Sequence, residues 1–402
     1  MKQKISLFIL YYLRFFAKLQ LSKVKFLQKI KGKQLDIIGI TGSAGKSSAL
    51  IACQSVFPKK YKIKTNNNCN SESGLPLSIL GLKLNDYNFF AWFKMLILSP
   101  LKYLINWQSY DILILEMGID SASWPKNMDY LLSVVKPNIA IFLNVSPVHL
   151  DKFNSLDQIA GEKAKLVNQA KIAIINNQDK LVKKYTQNKN IINLTPTKIR
   201  FDNFYLPDIY QVSFGAALSL AQIFNINYNE AVKNIQDNFS LPPSRSSILE
   251  GIKNTTIIDS SYNSSPIACS ELLKFLSSFK SKKIAVLGDM RELGDATPEE
   301  HRKIYDQALK SADLIISVGP ETSKYFGDKT QKFVNWWTAA EFLKETITGC
   351  ETILVKGSQN TIFLEELVKS ILKNPSDVYR ICRQSKFWLK TKSNYRSKAN
   401  LA

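Results

Sequence analysis

The chain is poor in the residues that usually hold metals or carry redox chemistry. Only two histidines, His149 and His301, occur in 402 residues. The five cysteines (Cys53, Cys69, Cys269, Cys350 and Cys382) form no C-x-x-C pair, so no zinc ribbon or disulfide framework is expected, and the thiols fit a reducing compartment. No small-residue cleavage site follows the apolar N-terminus, so no cleavable signal is expected. The longest uncharged run in that segment, residues 5–13, is nine residues long, against the roughly 20 that a spanning helix needs. No internal repeat stands out. Acidic residues are missing from both ends. Residues 1–33 hold nine Lys/Arg and residues 379–402 hold seven, with no Asp or Glu in either, which is sixteen of a net +21. The body between them is only mildly basic. The charge therefore makes no long duplex-binding face, and no nucleic-acid partner is expected.

What is present is a globular composition, 45% hydrophobic and 22% charged, in a length that fits two or three domains. Short, continuously apolar runs read as strands at 35–40, 111–116, 138–144 and 171–176, with helical stretches between them. That alternation implies a mainly parallel sheet covered on both faces. Residues 210–237 read as helical. Leu241-Pro242-Pro243 then interrupts the chain, and strands recur at 256–259, 283–287, 314–318 and 352–355. The expectation is an α/β protein. A basic amphipathic helix (1–34) precedes a central P-loop ATPase domain (35–240), a C-terminal Rossmann-like α/β domain (241–375) and a basic tail (376–402).

Two apolar stretches stand outside this scheme. Residues 4–30 mix aromatics with Lys and Arg at helical intervals, a pattern that fits a helix on an anionic membrane surface and equally a helix packed on the body. Residues 89–107 are very apolar and contain Pro100. A buried helical hairpin is expected there, with a second membrane-contacting element, edged by Trp92 and Trp107, as the alternative.

Thr41-Gly-Ser-Ala-Gly-Lys-Ser-Ser48 joins a strand to a helix. Amides of a glycine turn at a helix N-terminus can surround phosphate oxygens, so Gly42, Ser43, Ala44, Gly45 and Ser48 are candidate phosphate contacts. Lys46 would neutralise the β/γ-phosphates and Ser47 would offer a hydroxyl to Mg²⁺. Only two residues separate Gly42 from Gly45, where the usual pattern has four. The strand-before, helix-after setting is what favours ATP over a structural turn. Glu116 ends the strand 111–116, at the sheet edge where ligands of parallel sheets bind, and is a candidate Mg²⁺ ligand. His149 follows the strand 138–144 across a short loop and is a candidate metal or phosphate neighbour. Lys163, on the next helix, reads by spacing alone as a solvated lysine.

These motifs, with Thr65-Asn-Asn-Asn-Cys-Asn70, Gly74-Leu-Pro76, Glu116-Met-Gly118, His149-Leu-Asp-Lys-Phe-Asn-Ser155 and Glu162-Lys163, resemble the Mur ligases, ATP-dependent enzymes that build the peptidoglycan stem peptide. Ile258-Asp-Ser-Ser-Tyr-Asn-Ser-Ser-Pro266, Val286-Leu-Gly-Asp-Met-Arg-Glu-Leu-Gly294, His301 and Val355-Lys-Gly-Ser358 resemble the branch that adds D-alanyl-D-alanine. The resemblance runs from about residue 36 to 375. It implies that ATP converts a peptide carboxylate into an acyl phosphate, which the amine of D-Ala-D-Ala then attacks. It further implies that Lys46 and Ser47 bind ATP and Mg²⁺, that Glu116 and His149 hold metal, and that Lys163 carries a carbamate that bridges to Mg²⁺. Arg245, Asp259 and Asn263 would meet the nucleotide, and Asn68, Asn70, Ser71 and Lys356 the substrate. The two domains would close about a hinge near 241–243. A monomer in the cytoplasm, peripheral to the inner face of the membrane, is expected.

The sequence also departs from the family. A basic, amphipathic segment of about 35 residues stands where the D-Ala-D-Ala-adding enzymes carry a domain for the uridine nucleotide, so a substrate met at the membrane, or on a lipid carrier, is expected. Tyr210 and Phe214 replace a His and an Asn, Ser260 replaces the second Asp of D-D-S-Y-N, and Ser123-Trp-Pro-Lys-Asn127 replaces a Gly-Glu-Ile segment. Two other readings are a ligase for another acid, as in folylpolyglutamate and cyanophycin synthetases, and a membrane-tethered ATP-binding scaffold. The second-half motifs disfavour the former, and the presence of Lys46, Glu116, His149 and Lys163 disfavours the latter.

Overall fold

The computed structural model describes residues 2–66, 69–84, 88–147, 152–201, 206–358 and 362–399. The chain divides into two compact units. The first runs through Val145 and takes in Lys152–Arg200 and Tyr210–Phe239; the second is built chiefly from Ser240 onward.

In the first unit the elements run α1 (Lys2–Ile30), β1 (Asp36–Thr41), α2 (Lys46–Ser55), β2 (Ile63–Thr65), α3 (Gly74–Leu80), α4 (Phe89–Ile105) and β3 (Ile112–Glu116). They continue as α5 (Met128–Val134), β4 (Ile139–Phe142), α6 (Leu156–Gln169), β5 (Ile172–Ile175), α7 (Lys180–Tyr185), β6 (Ile191–Asn193), α8 (Tyr210–Ile223) and α9 (Tyr228–Asn238). The sheet has strand order β2-β3-β1-β4-β5-β6 and its pairs are all parallel. The central strands β3 and β4 are buried along their whole length, as continuous apolar runs in a sheet covered on both faces should be. Helices α8 and α9, read together from sequence as one helical stretch, part at Asn225, whose φ of 53° ends the first of them.

The second unit carries β7 (Ser247–Glu250), β8 (Thr256–Ser260), α10 (Pro266–Ser277), β9 (Lys283–Gly288), α11 (Thr297–Ser311), β10 (Leu314–Val318), α12 (Pro320–Tyr325), β11 (Gln331–Phe333), α13 (Trp336–Thr346), β12 (Thr352–Lys356), α14 (Leu364–Ser370) and α15 (Lys386–Ala399). Its order is β11-β10-β9-β12-β8-β7, parallel except for β7. The expected basic tail is folded. Glu365, fully buried, meets Arg383 and Lys392 at 3.0 Å each, and Lys392 also meets Glu366 at 2.7 Å. Removing either cation would leave a buried carboxylate short of a partner.

The segment 89–107 is not a buried hairpin. Helix α4 runs straight through Pro100, and only Met95 and Ser99 in it are buried. Proline at 100 has no N–H for the carbonyl of Leu96, and the Tyr12 hydroxyl donates to that oxygen instead, at 3.1 Å. Helix α1 lies against α3, α4 and α5. It buries Leu10, Leu13, Ala17, Leu21 and Val24 along one face, while Gln20 and Gln28 donate to the backbone carbonyls of Asn106 and Tyr110.

Gly39, in mid-β1, sets how closely helix α6 approaches the sheet. A Cβ there would stand 2.7 Å from Pro137 Cγ and 3.0 Å from Leu166 Cδ1. Because the proline ring cannot swing aside, Gly39→Ala is expected to cost about 1–3 kcal/mol. A thermal melt of the variant checks this, with a lowered Tm as the expected result.

Candidate active site

Strand β1 delivers the chain to a tight loop at the carboxyl edge of the first sheet, where Gly45 takes φ 79° and caps α2. This left-handed geometry suits glycine and carries a strain cost for other residues. Asn144, just beyond β4, props the loop from below. Its backbone oxygen accepts from Ser43 N at 3.0 Å, its side-chain oxygen from Ala44 N at 2.8 Å, and its Nδ2 donates to Ala44 O at 3.1 Å.

Two lysines converge on one loop carbonyl. Lys46 Nζ donates to Gly42 O at 2.9 Å, and Lys163 Nζ, from α6, donates to the same oxygen at 3.2 Å. Lys163 is fully buried. Burial pushes its pKa well below the ordinary lysine range; repulsion from Lys46 adds to this, and Asp120, Glu116 and Glu162 oppose it. The solvated surface lysine that spacing suggested is therefore a core residue. Helix α6 is fixed by the Ser155 hydroxyl, which accepts from Gln158 N at 3.1 Å, and by Glu162, which accepts from Met128 N at 2.8 Å.

Glu116 ends β3 facing α2. Its Oε2 accepts from Ser47 Oγ at 2.7 Å and its Oε1 from Asn70 Nδ2 at 2.8 Å. Asn66 holds the backbone of Glu116 at both ends, donating to its carbonyl at 2.8 Å and accepting from its amide at 2.9 Å. A buried hydroxyl and a buried carboxylate in contact are hard oxygen donors of the kind Mg²⁺ takes, and the hydroxyl's residue, Ser47, directly follows Lys46. The donor set fits that ion. Ser48 is buried in the first turn of α2. Asn70 is engaged with the carboxylate, and Ser71 accepts from Gly74 N at 3.2 Å, at the start of α3. His149 and Asn68 lie outside the described residues. Asn66 and Asn144 act on backbone groups, and the sequence reading missed both.

In the second unit, Asp259 is fully buried and accepts from Ser244 Oγ at 2.7 Å, Ser261 Oγ at 2.7 Å and Ser261 N at 3.0 Å. Burial raises its pKa, and these bonds work against that. Arg245 lies over the Tyr262 ring, 4.2 Å from its centroid. Lys356, at the end of β12, donates to the backbone oxygen of Asn263 and, at 3.4 Å, to that of Ser260. Its burial lowers its pKa to about 8. Asn263 Oδ1 accepts from Ser264 N at 2.9 Å and Ser358 Oγ at 3.4 Å. Asp259, Asn263 and Lys356 therefore gather at the carboxyl ends of β8 and β12. His301 is buried, accepting from Met290 N at 3.1 Å while its Nδ1 pairs with Thr297 O at 2.7 Å, so it braces the 289–294 loop.

The departures from the family pattern are structural. Tyr210 and Phe214 are buried with Phe239, ring centroids 6.1 and 5.1 Å away. Asn127 caps α5, and Trp124 packs on Tyr130 at 5.0 Å.

Comparison with known proteins follows the same division. Residues 97–236 match the Mur ligase middle domain and residues 244–359 the Mur ligase glutamate ligase domain. The loop at 42–47 precedes the first of these matches. A UDP-N-acetylmuramoyl-tripeptide–D-alanyl-D-alanine ligase of Buchnera aphidicola is 27% identical over 86% of this chain and 78% of its own length. The enzyme of the same name from Bacillus subtilis is 23% identical over 84% and 76%. Among solved structures, a MurF ligase from Thermotoga maritima in complex with ADP superposes with a TM-score of 0.69 at 22% identity, covering 89% of this chain and 83% of that one. A bifunctional folylpolyglutamate/dihydrofolate synthase from Yersinia pestis, bound to AMPPNP and Mn, gives 0.58 at 14% identity, covering 87% and 90%.

Proposed function

The chain belongs to the Mur ligases and is an ATP-dependent peptide ligase, and from that premise we propose that the bond it forms joins D-alanyl-D-alanine to the terminal carboxylate of a muramoyl tripeptide in peptidoglycan synthesis. The observation that carries this reading is the convergence of Lys46, Lys163, Ser47 and Glu116 around the Gly42 loop. The relatives' shared name supplies the substrate pair.

In this reading the terminal phosphoryl group of ATP passes to the substrate carboxylate, giving ADP and an acyl phosphate. The amine of D-Ala-D-Ala attacks the acyl carbon, loses a proton, and the tetrahedral adduct expels phosphate. The loop amides and the N-terminus of α2 cradle the phosphates, and the Lys46 ammonium neutralises charge that grows on the transferred group. Ser47 and Glu116 would hold Mg²⁺, with Asn70 fixing the carboxylate and Asn66 the backbone of Glu116. When bound, the ion supplies charge neutralisation on the phosphate oxygens. Arg245, Asp259 and Asn263 keep the nucleotide-contacting roles that the family resemblance gives them, and Lys356, cationic below about pH 8, would serve an acidic substrate. His149 and Asn68 retain their roles from the family resemblance. The reaction runs in the cytoplasm.

The test is phosphate release from ATP with D-Ala-D-Ala and muramoyl tripeptide, the latter offered on a uridine nucleotide and on a lipid carrier side by side. Release that needs all three substrates is the expected result. Release with glutamate and a folate, and none with the muramoyl peptide on either carrier, overturns the reading.

A further inference from the structure

Helix α4 is amphipathic with its apolar side outward. Phe90, Phe93, Ile97, Leu101 and Leu104 recur at intervals of three and four, which places them on one face, and all five are exposed, Phe90 to 80% and Leu104 to 61%. Phe89, Ile105 and Trp107 extend the same exposed surface. Helix α1 runs parallel beside it: Tyr12 bonds Leu96, and farther along Lys23 reaches Tyr103 and Gln20 reaches Asn106. The outer face of α1 is also apolar, with Phe8, Phe15, Phe26 and Ile30 exposed, Phe26 to 61%. A soluble surface seldom leaves so many large apolar side chains in one place without an occupant.

Charge identifies the occupant. Neither helix contains an Asp or Glu, while Arg14, Lys18, Lys23, Lys25 and Lys29 lie on α1 and Lys94 and Lys102 on α4. A second copy of the chain, docked through the same face, would set cations against cations. No described helix is long and apolar enough to cross a membrane. A surface of apolar stripes with basic edges and aromatics matches the boundary between acyl chains and anionic headgroups.

We propose that the α1/α4 face docks this ligase on an anionic lipid bilayer, lying in the interface without spanning it. Phe90, Phe93, Leu101 and Leu104 enter the acyl boundary, and Lys18, Lys25, Lys29 and Lys94 meet the headgroups.

Co-sedimentation of the full chain with vesicles tests this, using phosphatidylcholine alone and phosphatidylcholine mixed with phosphatidylglycerol. The protein is expected to pellet with the anionic vesicles, to pellet several-fold less with neutral ones, and to be released by raised salt. The variant F90S/F93S/L101S/L104S changes only exposed side chains, so it should melt like the wild type yet bind anionic vesicles about tenfold less or worse. No pelleting with anionic vesicles overturns the proposal, as does equal pelleting of wild type and variant. A wild-type dimer in sedimentation velocity that the variant dissolves also overturns it, in favour of a second copy.

Discussion

Replacing Lys46 by alanine is expected to slow phosphate release by about 10²–10³-fold, the loss found when one donor aimed at developing charge is removed. The argument rests on position. Lys46 is the first residue of α2, at the end where backbone amides already favour anions. Its ammonium now sits on Gly42 O at 2.9 Å, a contact with an uncharged oxygen that a phosphate oxygen would outcompete. The side chain is only partly buried and lies at the loop rather than in a core, so its removal should leave the melting temperature nearly unchanged. Single-turnover phosphate release, paired with a thermal melt, separates the two effects. A Lys46→Ala enzyme that keeps more than a tenth of wild-type activity would remove this lysine from the chemistry. Lys46→Arg makes a sharper control. It retains the charge but replaces a compact ammonium with a planar fork, and it should recover only part of the loss.

The sequence revealed the interior of the fold better than its margins, for a physical reason. Strands β1, β3, β4, β5, β8, β9, β10 and β12 carry apolar centres because both faces are covered, and each coincides with a run such as 111–116 or 283–287. Strands β2, β6, β7 and β11 are three or four residues long and sit at or near sheet edges. Their sequences (Ile-Lys-Thr, Gln-Lys-Phe) carry no periodic signal, and only pairing with a neighbour makes them strands. Helix α4 shows another limit. Hydropathy marks 89–107 as apolar but cannot say whether an apolar face meets protein or solvent, and here it faces outward. At the site, the glycine loop, Ser47 and Glu116 announce themselves by their place at strand ends. Asn66 and Asn144 do not. Each works through one amide on a backbone group distant in sequence, a contact that follows from the folded register and leaves no spacing to read. Lys163 was legible only through family resemblance, since nothing local distinguishes a buried lysine from a solvated one.

Lys163→Met is expected to abolish ligation while leaving the fold as stable as before, or more so. The two halves of this expectation have one cause. The Lys163 amine is fully buried, and burial and the neighbouring Lys46 both disfavour its charged form, so an apolar side chain of similar length removes a penalty from the folded state. The sign is fixed by the direction of the shift. A lysine whose folded pKa lies below its unfolded value binds fewer protons folded than unfolded. It therefore destabilises the fold below the folded pKa, and that penalty fades as pH rises towards the unfolded value. The methionine variant should lack this pH-dependent contribution. The same depression keeps more of the amine neutral near pH 7, the form that can attack carbon dioxide. In that attack a nitrogen–carbon bond would form, a proton would leave, and a carbamate would replace the amine. That anion would face Lys46 and could join Ser47 and Glu116 in holding Mg²⁺, which accounts for a buried lysine at an oxygen-donor site. Wild-type enzyme freed of carbon dioxide should lose most of its phosphate release and regain it with bicarbonate. With ¹³C-bicarbonate it should show a carbamate resonance that Lys163→Met lacks. Small carboxylates such as acetate should restore part of the activity to Lys163→Ala, because a carboxylate diffusing into the vacated space replaces the missing anion. Full activity in the Lys163→Met enzyme, or activity of the wild type indifferent to carbon dioxide, would leave Lys163 as a core residue and nothing more.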